Sequence, residues 1–139
     1  MNNNIELYKE KNALGEYMYN IDKIISQCDE IYSEKTKFVN LLSHILQEQQ
    51  KGFIYQLYKK CKKDFLFKMI EKTLDTMNNG GINKQDSENK RTICGTFIYY
   101  VKTSNYFTSD ELKQVFFRNN QKRKERKKLY KKFNAFCIE

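Results

Sequence analysis

Apolar residues recur along this chain at intervals of three and four, so the pattern predicts helix almost throughout. Phe38, Leu41, Leu42, Ile45 and Leu46 fall on one helical stripe, and Phe53, Ile54, Leu57, Tyr58 and Cys61 on another, with the break near Gly52. A third stripe, Phe65 or Leu66, Met69, Ile70, Leu74 and Met77, predicts a helix from about Asp64 to Met77. Gly80-Gly81 follows and supplies the left-handed backbone that ends helices. Thr92 is placed to cap a helix carrying Phe97, Ile98 and Val101. Thr108, Ser109, Asp110 and Glu111 form a capping box before Leu112, Val115 and Phe116. Met18, Ile21, Ile25 and Cys28 keep helical spacing within the stretch from Ile5 to Ile31, where Gly15 weakens the beginning.

From Asn78 to Arg91 the periodicity is lost and the residues are polar, which predicts one long loop, and long loops inside compact domains are often functional. Beyond Gln121 a run of Lys and Arg contains Leu129, Phe133 and Phe136 at helical spacing, as a basic amphipathic helix would. The expected fold is therefore all-α, a compact bundle of about five to six helices with one long basic loop. We expect a helical extension over residues 1–33, a main domain over 34–120 and a basic helical or flexible tail over 121–139. No internal repeat is visible.

Composition narrows the chemistry. At 139 residues the chain suits one domain, and although only 40% of it is hydrophobic, 14% aromatics supply large core pieces. The net charge of +9 favours polyanionic partners, and its distribution is uneven. Residues 1–50 hold 5 basic and 8 acidic side chains, while residues 51–139 hold 21 basic and 9 acidic, so a polyanion should meet the C-terminal two-thirds. A solvated lysine surface would give the same total, so charge alone decides nothing. The four cysteines, Cys28, Cys61, Cys94 and Cys137, stand far apart, without the close pairs of zinc or redox sites, and read as reduced core thiols. No apolar run approaches twenty residues and no secretory signal is visible, which suggests a nuclear or cytosolic protein and no membrane partner. The single histidine, His44, lacks the partners that acid-base or nucleophilic catalysis needs, so we expect no enzyme, no metal site and no cofactor.

The candidate site is a phosphate cradle. Lys90 and Arg91 stand just ahead of a helix capped by Thr92, whose first-turn amides lack intrahelical partners and carry the positive end of the helix dipole. Gly95 would let an anion approach the backbone, and Lys84 and Lys102 would flank it. Many helices begin after a basic residue with a Thr cap, so the motif by itself is weak. Tyr55, Tyr58, Phe97, Tyr99, Tyr100, Tyr106 and Phe107 are candidates for stacking on bases or, in the plainer reading, for the core. Tyr99 and Tyr100 point about a hundred degrees apart on a helix, so at least one should be exposed beside the basic loop. Lys59, Lys60, Lys62 and Lys63 sit at a helix junction and could extend a basic groove or simply solvate a turn.

These residues bring a family into view. The stretch from Leu66 to Phe97 resembles the hallmark segment of the RNA-binding domain of PHAX, the phosphorylated adaptor for RNA export. Thr73, Gly80, Gly81, Lys90, Arg91, Thr92, Gly95 and Phe97 fall in register with its helix, double glycine, polar loop, basic cluster and Thr-Pro-Gly-Gly turn. The likeness extends forward through Val101, Lys102, Thr108, Ser109, Leu112, Lys113, Val115 and Phe116, and back through Glu48, Gln47 and Leu46 to about Leu41. Ile93 stands where the family has proline and Cys94 where it has the first glycine. Asn89 replaces an arginine, and Gln49 and Lys62 occupy usual proline and glycine positions. The resemblance implies a compact helical domain that binds RNA, preferentially single-stranded or flanking stem structures, without strong sequence choice, and we expect a monomer. It further implies an adaptor that joins small nuclear RNA and the nuclear cap-binding complex to an export receptor, located in the nucleus and shuttling to the cytoplasm. A competing reading makes the chain a protein-interaction module whose basic amphipathic tail docks an acidic partner.

Overall fold

The structure is a computed structural model that describes residues 8–84, 89–117 and 124–129. Two short strands, β1 (Lys9–Lys11) and β2 (Tyr17–Tyr19), pair antiparallel with Lys9 opposite Tyr19. Six helices follow: α1 (Ile21–Ile31), α2 (Lys35–Leu46), α3 (Gly52–Lys60), α4 (Lys63–Asn78), α5 (Ile93–Thr103) and α6 (Ser109–Val115). Residues 124–129 are helical and exposed. The fold is all-α apart from the small hairpin, as the periodicity predicts, and the helical stripes read from the sequence are the buried faces. Phe38, Leu42, Ile45 and Leu46 of α2, Phe53, Ile54 and Leu57 of α3, and Leu66, Met69, Ile70 and Leu74 of α4 all enter one core.

The N-terminal stretch differs from its helical reading. Residues 9–19 form the hairpin because Asn12 and Gly15 close a tight turn: the Asn12 side-chain oxygen accepts from the amides of Leu14 and Glu16, and Gly15 adopts φ +82°. Helix then starts at Ile21, capped by Asn20, whose side chain accepts from the Lys23 amide. Nor does this stretch stand off as an appendage. Asn78, the last residue of α4, holds β2 as another strand would, its side chain accepting from the Tyr19 amide at 2.8 Å and donating to the Tyr19 carbonyl at 3.0 Å.

Two reversals fix the remaining layout. At the end of α4, Gly80 and Gly81 take φ +98° and +77°, and their amides return to the carbonyls of Met77 and Thr76 in a Schellman arrangement. At the end of α2, Gln47 takes the left-handed conformation instead, and Ser43 donates its hydroxyl to the Glu48 carbonyl. The capping box at α6 is present, with Thr108 and Glu111 each bonded to the other's amide, and these bonds hold the Glu111 carboxyl below its usual range.

Replacing Asn78 by Ala removes both bonds to β2 and leaves the Tyr19 backbone groups unpaired. The expected loss, read from urea denaturation, is about 1–3 kcal/mol, with no rescue by Asn78→Asp, which cannot donate to the Tyr19 carbonyl. The buried thiols give a second test. Burial pushes Cys28 up to about 12 and Cys61 up to about 11, and it raises Cys94 further with the Glu48 carboxylate beside it. Because the thiolate is the reactive form, these three should resist a disulfide reagent at pH 8 until the protein is unfolded. Fast reaction of more than one of the four cysteines in the native protein would contradict this.

Candidate nucleic-acid interface

The described residues between α4 and α5, 79–84 and 89–92, are more ordered than their composition suggests. Asn83 and Lys90 form an antiparallel bridge, the Lys84 amide donates to the Asn89 carbonyl at 2.8 Å, and the Arg91 amide donates to the Ile82 carbonyl at 2.7 Å. These bonds pinch the loop shut at its base and carry the chain straight into α5. Lys84 and Lys90 are exposed on the pinched arms, and the Lys90 stem lies along Gly81.

At the entry to α5 the Thr92 hydroxyl accepts from the Gly95 amide at 3.0 Å, and the Thr92 carbonyl accepts from both the amide and the hydroxyl of Thr96 at 2.9 Å. The cap anticipated from the sequence is therefore present. The reason for Gly95 is different from open access for an anion: a Cβ there would meet the Thr92 hydroxyl oxygen at 3.2 Å and the Arg91 Cβ at 3.7 Å. Glycine makes room for the cap. Helix geometry leaves the Ile93 and Cys94 amides as the first-turn donors without intrahelical partners. Glu48, at the corner between α2 and α3, already brings a carboxylate to Cys94 in that turn. The most accessible positive charge therefore lies on Lys90 and Arg91 rather than in the amides.

Arg91 is anchored by a ring. Its guanidinium carbon lies 4.8 Å from the centre of Tyr99, two turns into α5, and its Nε is buried without a hydrogen-bond partner among the described residues. Tyr99 itself is 39% exposed, which decides the question left open by the adjacent tyrosines. Tyr100 turns toward α4, where its hydroxyl meets that of Thr76 at 2.6 Å. Gly95, Tyr99 and Lys102 share one stripe of α5 by their spacing, and Lys102 stands over the Phe116 ring at 5.2 Å.

Seven of the predicted site residues, Lys84, Lys90, Arg91, Thr92, Gly95, Tyr99 and Lys102, thus lie on the loop and on α5. The others lie away from the loop. Lys59, Lys62 and Lys63 sit at the opposite end of α4, a helix of 16 residues and so about 24 Å long. Lys59 and Lys62 are exposed there, with the Lys62 amide donating to the Tyr106 hydroxyl at 3.1 Å. Lys63 is paired with Asp29 and lies 5.3 and 5.4 Å from the rings of Tyr32 and Phe67, which ties it to α1. Of the residues expected to be structural, Thr73, Phe97 and Phe116 are buried, and the Thr73 hydroxyl donates to the Met69 carbonyl. Among the stacking candidates, Phe97 and Phe107 are core, while Tyr99 and Tyr106 reach the surface. Sequence reasoning missed Lys72, whose Nζ lies 4.6 Å from the Tyr100 ring. Its spacing from Lys68 marks an exposed face of α4, but the tyrosine beneath it comes from another helix.

A protein-family model described as "Phosphorylated adapter RNA export protein, RNA-binding domain" matches residues 38–121, from early α2 to beyond α6. The chain belongs to this family. Among curated relatives, the human phosphorylated adapter RNA export protein is 26% identical over 96 residues, covering 69% of this chain and 24% of that protein. The chicken protein is 27% identical over 96 residues and the bovine protein 26% over 91. The chain thus spans about a quarter of the length of the curated relatives it matches. No solved structure matches it.

Two departures from the PHAX pattern now have a structural account. Ile93 and Cys94, standing where the family has proline and glycine, are both buried in the core. Apolar contact thus secures a helix start that proline would otherwise preorganise. Thr92→Ala should therefore destabilise the domain by about 1 kcal/mol in urea denaturation, with Thr92→Ser largely preserving stability. An unchanged denaturation midpoint for Thr92→Ala would mean that the cap contributes nothing.

Proposed function

We propose that this chain is an RNA-binding module that holds single-stranded RNA, with little sequence preference, against the α4–α5 loop and the outer face of α5. The observation that carries the reading is the pairing of Arg91 with the half-exposed ring of Tyr99. A guanidinium over a half-exposed ring presents a cation for phosphate beside an aromatic edge for a base, and neither reads base identity. Lys90 and Lys84 add phosphate contacts on the pinched loop, and Lys102 continues the stripe. The match to the RNA-binding domain of an RNA export adapter supports the same reading. In that role the module would contribute the RNA-holding part of a nuclear adaptor for small nuclear RNA, with the cap-binding complex and export receptor as further partners.

A second reading is favoured by one observation: Leu129 is 67% exposed on a helical stretch with Lys124, Arg126, Lys127 and Lys128. Such a segment can dock an acidic partner. Deleting residues 119–139 separates the two readings. Retained RNA affinity with loss of a pull-down partner assigns the tail to docking and supports the loop and α5 as the RNA site, whereas loss of RNA affinity moves that site to the tail.

Changing Lys90 and Arg91 to Ala should weaken binding to all single-stranded RNA sequences alike. In a fluorescence titration at several salt concentrations, the log–log slope should fall by about 0.7 for each lost phosphate contact. An unchanged slope in a folded variant would remove this face from the reading.

A further inference from the structure

Arg91 and Tyr99 begin a longer row. Tyr99 meets Tyr100 edge-on with ring centres 5.5 Å apart, and Lys72 stands over the Tyr100 ring at 4.6 Å. Cation, ring, ring and cation thus cross from α5 to α4 without a gap, and the Thr76 hydroxyl fixes Tyr100 in the middle. Lys72 is also a wall of an open groove of about 670 Å³ between the outer face of α4 and the start of α1. Lys68, Glu71 and Asp75 line it on α4, and Tyr19, Asn20 and Asp22 face them. On the hairpin side Lys9 stands 5.0 Å from the Tyr19 ring, so a cation–ring pair borders each side of the groove.

We propose that this groove is a second nucleotide subsite, into which a single RNA strand held at Arg91 and Tyr99 continues across Tyr100 and Lys72. The inference rests on the RNA-binding reading above and adds a place and a direction for the strand. Lys68 and Lys72, one turn apart, meet the backbone phosphates. The carboxylates Asp22, Glu71 and Asp75 repel a bare phosphate cluster but accept hydrogen bonds from the N–H edge of a base. The occupant is therefore a whole nucleotide, with its phosphate toward the lysines. Tyr19, Asn20 and Asp22 precede residue 38, where the family match begins, so half of this subsite lies on the hairpin and α1, outside the matched residues.

The test is a titration of the full chain with a fluorescein-labelled single-stranded RNA of about twelve nucleotides, within the usual site size of strand-binding proteins. Lys68→Ala/Lys72→Ala should weaken binding on the order of tenfold in dilute buffer and lower the salt slope by about 1.4 for two lost contacts. Lys35→Ala/Lys37→Ala on α2 removes the same charge away from the groove and should leave both quantities near those of the parent. Lys68→Arg/Lys72→Arg should restore binding. Both lysines of the groove are exposed, so the variants should fold, which circular dichroism checks. Parent-like binding by Lys68→Ala/Lys72→Ala, or a loss no larger than that of the α2 control, overturns the subsite. If Lys90→Ala/Arg91→Ala still weakens binding in that case, the RNA-binding reading stands without the subsite. If neither variant does, both readings fall.

Discussion

Where α4 and α5 lie against each other, the interface mixes bulk with small polar side chains. Leu74, Ile70, Phe97 and Val101 are buried there, and the hydroxyls of Thr76 and Thr96 reach Tyr100 and the Met77 sulfur across the seam. A buried hydroxyl is tolerated only when it is paired: Thr96 is satisfied locally by the Thr92 carbonyl, and the Thr76–Tyr100 pair sets the rotation of one helix on the other. The rest of the recognition surface depends on that rotation. It turns Tyr99 outward and Tyr100 inward, places Arg91 over the first ring, and sets Lys72 over the second. The reversal at Gly80-Gly81 and the pinched loop beyond it make the pairing possible, because they return the chain to the end of α4 with the basic residues on the outside of the bend.

Aromatic residues are divided between two tasks by what surrounds them. Tyr32, Phe38, Tyr58 and Phe67 form one cluster among α1, α2, α3 and α4, with ring centres 5.0 to 6.0 Å apart, and Phe53 meets Phe116 between α3 and α6. These rings give a small domain a large buried area for few residues. Lysines and arginine lie over several rings, some buried and some near the surface. Lys63 does so over Tyr32 and Phe67, and its pairing with Asp29 makes it part of the scaffold. Arg91 and Lys72 do so beside solvent, where the cation and the ring edge remain available to a ligand.

The hairpin and α1 are joined to the rest of the core by two kinds of contact. Hydrophobic burial of Tyr19, Ile24 and Cys28 attaches this stretch, and the Asn78 side chain gives it register by treating β2 as a strand partner. Periodicity alone reads the segment as helix because Met18, Ile21, Ile25 and Cys28 keep the spacing, and the last three are indeed helical. The Asn12–Gly15 turn overrides that spacing for Met18, whose neighbours are tied into two strands.

Local chemistry in the sequence is sufficient for much of this protein. Stripes of Leu, Ile, Phe and Val at helical spacing mark the helices from α2 to α6 because burying one face is what makes a short helix stable. Thr92, Thr108 and Gly80-Gly81 mark their ends because caps and left-handed turns are matters of a few adjacent residues. The resemblance to an RNA-binding domain likewise lies in consecutive residues, from Thr73 to Phe97. Which cations share a surface was not legible, since that depends on distances between helices: Lys63 reads like Lys62 in the sequence, yet one is bound to Asp29 and the other faces water. Gly95 reads as an opening for an anion, and only the packed turn reveals that it clears space for a hydroxyl. The row of rings and cations from Arg91 to Lys72 exists only once two helices meet, because a charge and the ring beneath it are brought together by tertiary packing, not by spacing along the chain.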